Sequence, residues 1–211
     1  MKKHIAILDP FPRTLKLIFS KDKFKALKSR YELIYAPKKY KKNFYDKNIH
    51  KASFIIGQPD LPKDLLLKAK KLKAVINVES NFMNNMDYQY CFKKGIHVIA
   101  TSPVFSKPVA EIALGMTLSL LRNIHTAHSD FIKGKEKYGL ESNHNASLLS
   151  GKKIGLLGFG DLAKSLYPLL LPFSKDINVY DPWIPKINIQ KLGFKSISLN
   201  KMFESCEVIY V

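Results

Sequence analysis

The heptapeptide Leu157-Gly158-Phe159-Gly160-Asp161-Leu162-Ala163 decides how the rest of the chain is read. It has the form G-x-G-x-x-A. The apolar run Lys153 to Leu157 precedes it, and an amphipathic stretch from Asp161 to Leu171 follows. A second apolar run, Asp176 to Asp181, closes on a carboxylate 21 residues after Gly160. Strand, glycine turn, helix, strand and terminal acid at these offsets form the dinucleotide-binding fingerprint. Gly158 permits the tight turn, and Gly160 lets the backbone approach a pyrophosphate. Ala163 stands where a third small residue keeps helix and strand close. The free N–H groups at the helix start, at Asp161, Leu162 and Ala163, face phosphate charge, and Phe159 in the turn is counted with them as cofactor-binding. Asp181 would accept hydrogen bonds from ribose hydroxyls and repel a 2′-phosphate, so the pattern favours NAD over NADP. Pro182 biases Asp181 toward extended backbone. A methyltransferase using S-adenosylmethionine also carries a glycine turn and an acid. It has no need of the five-strand unit that precedes them here.

Upstream, five short apolar runs alternate with helical patterns. The strands are expected at Ile5–Leu8, Tyr31–Tyr35, Ser53–Gly57, Ala74–Asn77 and His97–Ile99. Helical patterns run from Phe11 to Leu27 with a break near Ser20, from Lys63 to Lys71, and from Asp87 to Lys94. Lys38 to His50 reads as a basic loop or helix. This alternation argues for an α/β fold with a parallel sheet covered by helices on both faces. A longer helix is expected from Lys107 to Gly134, apolar on most sides, and such a helix lies in a core or at an interface. Lys135 to Ser150 is polar and Asn-rich, as in a lid. Beyond Asp181, Phe194 to Ile197 reads as a strand, Leu199 to Glu204 as a helix and Glu207 to Val211 as a further strand.

The 211 residues are 46% hydrophobic and 25% charged, an ordinary globular composition that argues against disorder along the whole chain. Val109 to Leu121, interrupted by Glu111, is shorter than the roughly 20 residues of a membrane span. The N-terminal apolar run stops at Asp9-Pro10, too early for a signal peptide. A cytoplasmic protein with no membrane partner is expected. Net charge is +18, but only Arg13, Arg30 and Arg122 are arginines. Base readout favours arginine. A solvated lysine coat, of the kind AT-rich coding produces, is therefore expected rather than a specific nucleic-acid site. Cys91 and Cys206 form no C-x-x-C pair, and no metal site is expected. His125, His128 and Asp130 have ligand-like spacing but read as a solvated helix end.

From Leu72 onward the chain resembles the D-isomer-specific 2-hydroxyacid dehydrogenases. The matching stretches are Leu72–Asn77, Lys94–Val98, Val109-Ala110-Glu111, Leu120-Leu121-Arg122, Leu149–Gly155, the glycine motif and Tyr180-Asp181-Pro182. Before Leu72 only the order of elements matches. The resemblance implies a flavodoxin-like substrate domain, residues 1–101, and an incomplete Rossmann-type NAD-binding domain, residues 102–211, with a cleft between them. It implies a homodimer formed through the helix near 107–134. It implies hydride transfer between NAD and a small 2-hydroxy or 2-keto acid. It also implies that the loop Glu79-Ser80-Asn81 presents backbone N–H groups to the substrate carboxylate, although family members often carry glycines there and this chain has none between Gly57 and Gly95. The family's catalytic Arg, acid and His fall beyond Val211, so the 211 residues alone read as an inactive N-terminal fragment. A non-enzymatic NAD-binding or corepressor-type protein on the same fold is the alternative.

Overall fold

The computed structural model describes residues 3–39, 41–80 and 82–211, which divide into two compact units, Met1–Ser102 and Pro103–Val211. In the first unit the strands are β1 (His4–Asp9), β2 (Tyr31–Tyr35), β3 (Ala52–Gly57), β4 (Ala74–Ile76) and β5 (His97–Ile99). They form one parallel sheet in the order β2-β1-β3-β4-β5. The connecting helices are α1 (Leu15–Ile18), α2 (Lys21–Arg30), α3 (Lys41–Asn48), α4 (Lys63–Lys68) and α5 (Tyr88–Lys93).

Neighbouring side chains in a strand point to opposite faces, so adjacent apolar residues supply both cores. Ile7, Ile55 and Val75 face one side, against Tyr45 of α3, Leu65 and Leu66 of α4 and Cys91 of α5. Leu8, Ile56 and Val78 face the other, against Leu15, Ile18, Phe24 and Leu27 of α1 and α2. Ser20 caps α2 by accepting the Lys23 N–H, which explains the break expected at that residue. The stretch at Lys38–His50 resolves into α3 and a 3-10 turn at Ile49–Lys51; Tyr40 within it lies outside the described residues.

The second unit begins with α6 (Ser102–Leu121), α7 (Ile124–Ile132) and α8 (Gly139–Asn143). The single helix expected at 107–134 thus starts earlier and is broken. Asn123 adopts the left-handed conformation, with φ of 54°, and ends the first segment. The helix of 20 residues is long and apolar enough to cross a membrane by length and composition, unlike the shorter apolar stretch read from the sequence. In this fold its Ala110, Ala113, Leu114, Leu118 and Leu121 pack on the sheet core.

That sheet comprises β6 (Ile154–Leu157), β7 (Ile177–Tyr180), β8 (Lys195–Ser196) and β9 (Val208–Tyr210) in the order β8-β7-β6-β9, all parallel. It is interleaved with α9 (Asp161–Leu170), α10 (Lys186–Lys191) and α11 (Leu199–Ser205). Helix α10 is not among the expected elements, because Pro182 and Pro185 obscure its start. Its Ile189 is fully buried in the core. β9 pairs with β6 on one side and forms an edge of this sheet among the described residues.

α11 packs closely because Gly155 has no side chain. A Cβ there would lie 2.8 Å from Met202 Cγ and 3.0 Å from its sulfur. Both Gly155 and Met202 are buried, so neither has room to yield. Gly155→Ala is expected to destabilise the fold by about 1–3 kcal/mol through overpacking. Met202→Ala removes the clash, so Gly155→Ala should cost less in a Met202→Ala background than in the parent. Chemical denaturation midpoints of the parent, the two single variants and the double variant check this.

Candidate functional site: the glycine turn of the second unit

From β6 the chain moves outward to β7 and β8, then returns to place β9 on the other side of β6. Helices leaving neighbouring strands toward opposite faces open a crevice at the carboxyl ends of the strands, where ligands of doubly wound folds bind. The glycine turn sits there, at the end of β6.

Gly158 has φ of +94°, a conformation that L side chains rarely adopt, and a Cβ built on it meets nothing within 4 Å. The space above Gly160 is equally open. Gly160 is the N-cap of α9 and has no side chain to bond the first-turn N–H groups. An open backbone surface beside a helix start suits a phosphate group. Asp161 and the half-exposed Leu162 form the first turn, and Ala163 packs toward the core.

Phe159 points the other way. Its ring is fully buried, 4.5 Å from Phe194, which is in turn 4.5 Å from Tyr167, and Lys164 Nζ lies 5.5 Å from its centre. Its side chain anchors the turn, and its N–H donates to Asp181 Oδ2 at 2.7 Å. The N–H groups of Trp183 and Ile184 donate to Asp181 Oδ1 at 2.8 Å each. Gly158 N–H donates to the Tyr180 carbonyl at 2.7 Å. The acid at the end of β7 and the turn at the end of β6 are therefore locked together. Burial alone would raise the Asp181 carboxyl. The three N–H donors, with the Lys164 charge, outweigh it and hold the group below the ordinary carboxylate value.

In the first unit the equivalent switch point lies between β1 and β3. Several polar groups gather at the carboxyl ends of these strands, and sequence reading missed most of them. The buried Asp9 carboxylate accepts from Lys41 Nζ at 2.7 Å and from the Tyr45 hydroxyl at 3.0 Å. Burial first, and then the Asp9 charge and hydrogen bond, push the Tyr45 hydroxyl far above its ordinary range, so it remains a neutral donor. Gly57, paired with Asp9, leaves no room for a Cβ, which would lie 2.2 Å from the Asp9 carbonyl oxygen.

Glu79, expected at a substrate loop, is held in a two-point pair by Arg13, with Nε at 2.8 Å and Nη2 at 3.1 Å. Its carboxylate ties this loop to the one following β1, and its carbonyl accepts the Thr101 N–H at 3.3 Å. Ser80 is half-buried in a bend, and Asn81 lies outside the described residues. The Gln58 and Asn77 amides and the Thr101 hydroxyl, just past β3, β4 and β5, are buried without hydrogen-bond partners among the described residues. Their only sequence signal is a polar residue directly after an apolar strand. The histidines are dispersed: His4 contacts Ser53, His125 contacts Thr126 and His144 contacts Asn145.

An open glycine turn on the first strand of a β-α-β unit, braced by a carboxylate on the second, defines a dinucleotide-binding domain of the Rossmann class. Residues 114–211 match the family model of the D-isomer specific 2-hydroxyacid dehydrogenase NAD-binding domain. A hydroxypyruvate reductase of Thermotoga maritima is 31% identical over 147 residues, which are 69% of this chain and 45% of that protein. A D-3-phosphoglycerate dehydrogenase of Methanocaldococcus jannaschii is 30% identical over 152 residues, 70% of this chain and 28% of that protein. The crystal structure of a phosphoglycerate oxidoreductase from Rhizobium etli superposes with a TM-score of 0.82 at 41% identity, covering 98% of this chain and 65% of that one. The chain belongs to the D-isomer specific 2-hydroxyacid dehydrogenase family, and it spans less than half the length of either curated relative.

Because the folded Asp181 carboxyl is held below its unfolded value, its stabilising contribution is complete above about pH 4 and is lost as pH falls through the folded value. Asp181→Asn should therefore destabilise the chain near neutrality by about 1.5–3 kcal/mol, the range for hydrogen bonds to a charged group. The difference from the parent should shrink below about pH 4. Denaturation curves of both proteins from pH 3 to 7 test this.

Proposed function

We propose that the protein is an NAD-dependent oxidoreductase that interconverts a D-2-hydroxy acid and its 2-keto acid. The observation that carries this reading is the Asp181 carboxylate braced on an open glycine turn. NAD, when bound, supplies the nicotinamide carbon that accepts or donates the hydride. Gly158 and Gly160 admit the pyrophosphate against bare backbone, and the α9 N-terminus offsets its charge. A carboxylate offers about four lone-pair sites. Three already accept backbone N–H groups, which leaves room for one ribose hydroxyl. The negative charge of Asp181 disfavours a 2′-phosphate.

The loop from Glu79 to Asn81 holds the substrate carboxylate through its backbone N–H groups. The Arg13–Glu79 pair fixes that loop, and the unpartnered Gln58, Asn77 and Thr101 give a polar substrate edge. We place the acid–base His, its acidic partner and the substrate-gripping Arg outside these 211 residues. No described histidine here is hydrogen-bonded to a carboxylate, which supports that placement.

The protein acts as a homodimer joined through α6. Val109, Ile112, Met116 and Leu120 follow helical spacing and are exposed, forming an apolar stripe on the side away from the sheet core.

Calorimetric titration of the 211-residue chain should show NAD binding. NADP should bind at least tenfold more weakly, and Asp181→Ala should weaken NAD at least tenfold, about 1.4 kcal/mol. A parent chain that binds neither dinucleotide would refute the cofactor assignment. Sedimentation equilibrium should give a dimer for the parent and a monomer for Ile112→Glu/Met116→Glu. That double variant should keep the parent's NAD affinity.

A further inference from the structure

The excess positive charge is not spread evenly. The first unit holds 22 Lys and Arg against 8 Asp and Glu, a net +14; the second holds 13 against 9, a net +4. AT-rich coding would raise lysine, asparagine and isoleucine together. Asparagine divides 6 to 6 between the units and isoleucine 10 to 10, whereas lysine divides 20 to 12. Of the three, lysine alone is concentrated in the first unit.

Within it, residues 16–51 carry 12 cationic side chains and 3 acidic ones. Every cation but Lys41, which is committed to Asp9, is exposed. Of the acids, Asp46 is already paired with Lys68 of α4 at 2.6 Å, leaving Asp22 and Glu32 as the exposed counterweight. Most of these cations lie on the two helices that precede and follow β2 in the chain. β2 is the edge strand of its sheet, α2 runs directly into it and α3 follows it on the opposite face. Lys21, Lys23, Lys25, Lys28 and Arg30 lie on α2, and Lys38, Lys39, Lys42 and Lys47 lie on or just before α3. β2 itself carries Glu32 and no lysine, so these cations are not guards placed on the edge strand against pairing.

We propose that this basic edge binds the phosphate backbone of nucleic acid without reading its sequence. A membrane surface fits less well, because an interfacial helix buries an apolar face in lipid. Here Phe24 and Leu27 of α2 and Phe44 and Tyr45 of α3 are turned into the sheet cores, leaving the outer surface to the cations. An acidic protein fits less well too, since protein interfaces are depleted in lysine and enriched in arginine. Eleven of the twelve cations are lysines, point charges suited to phosphate contact and poorly suited to base readout.

Anisotropy titrations of the 211-residue chain with a labelled 20-base-pair DNA test this. Five neutralised phosphates give a log–log salt slope of about −4.5, hence an affinity loss of about 500-fold between 50 and 200 mM salt. Lys21→Gln/Lys23→Gln/Lys25→Gln/Lys28→Gln should flatten the slope by about 1 for each phosphate that is no longer neutralised. Lys135→Gln/Lys175→Gln/Lys186→Gln/Lys191→Gln removes the same charge from the second unit and should leave affinity within about twofold and the slope unchanged. These positions are all exposed, so circular dichroism should show both quadruple variants folded. Three outcomes each overturn the proposal: no binding at 50 mM salt, equal weakening by the two quadruple variants, or preferential binding to phosphatidylserine vesicles.

Discussion

The second unit depends on one carboxylate. Asp181 directly follows β7, yet its oxygens accept N–H groups from the glycine turn after β6 and from Trp183 and Ile184 further along its own loop. A turn with φ of +94° at Gly158 has little of its own to hold its shape. The buried ring of Phe159 pins it from below, and Asp181 holds its N–H from the side. The turn is thereby set before any ligand arrives, so ordering it need not oppose binding. This preorganisation also explains a carboxylate that stays ionised despite partial burial: its charge is solvated by fixed peptide dipoles rather than by water.

Much of this was legible in the sequence, for an identifiable reason. Glycine spacing, the strand before it and the acid after the next strand are local features, each set by backbone geometry within a few residues. The strands of the first unit were legible for the same reason, because parallel strands buried on both faces read as continuous apolar runs. The register of Ile7 and Leu8 with Ile55 and Ile56 then follows from topology. What stayed hidden was non-local. Nothing near Glu79 announces that Arg13, 66 residues away, will take both its oxygens. Nothing near Asp9 announces Lys41 and Tyr45. Asp181 was legible as the acid that follows the second strand, but its bond to Phe159 N–H was not, because that bond depends on the spacing of two strand ends. The break of the long helix at Asn123 was hidden as well. Apolar periodicity continues past it, and only the backbone conformation shows the turn.

The two switch points use carboxylates differently. Asp9 is buried and neutralised by a lysine, with Tyr45 as a second donor. A buried ion pair of this kind adds little net stability over apolar packing, but removing one partner strands the other charge. Its consequence is to fix α3 against the end of β1. Asp181 instead rests on backbone N–H groups, which leave one lone-pair site available to a ligand. Of the two acids at strand ends, the one satisfied by peptide dipoles is therefore the one suited to recognition, while the one satisfied by lysine and tyrosine is structural.

The same distinction orders the charges of the whole chain. Lys152 is held by Glu207, and Glu207 also accepts the Lys153 N–H, so these charges join the starts of β6 and β9. Lys68 is matched to Asp46 and Lys195 to Asp176. Each of these pairs links elements adjacent in space, and their exposure keeps what each contributes to stability small. The cations of α2 and of the stretch leading into α3 link nothing of that kind. Their helices are already fixed by Phe24, Leu27, Tyr45 and Ile49 in the two cores. Charge that the fold does not require, carried on the two helices either side of β2 in the chain, is better explained by an anionic partner than by the architecture that carries it.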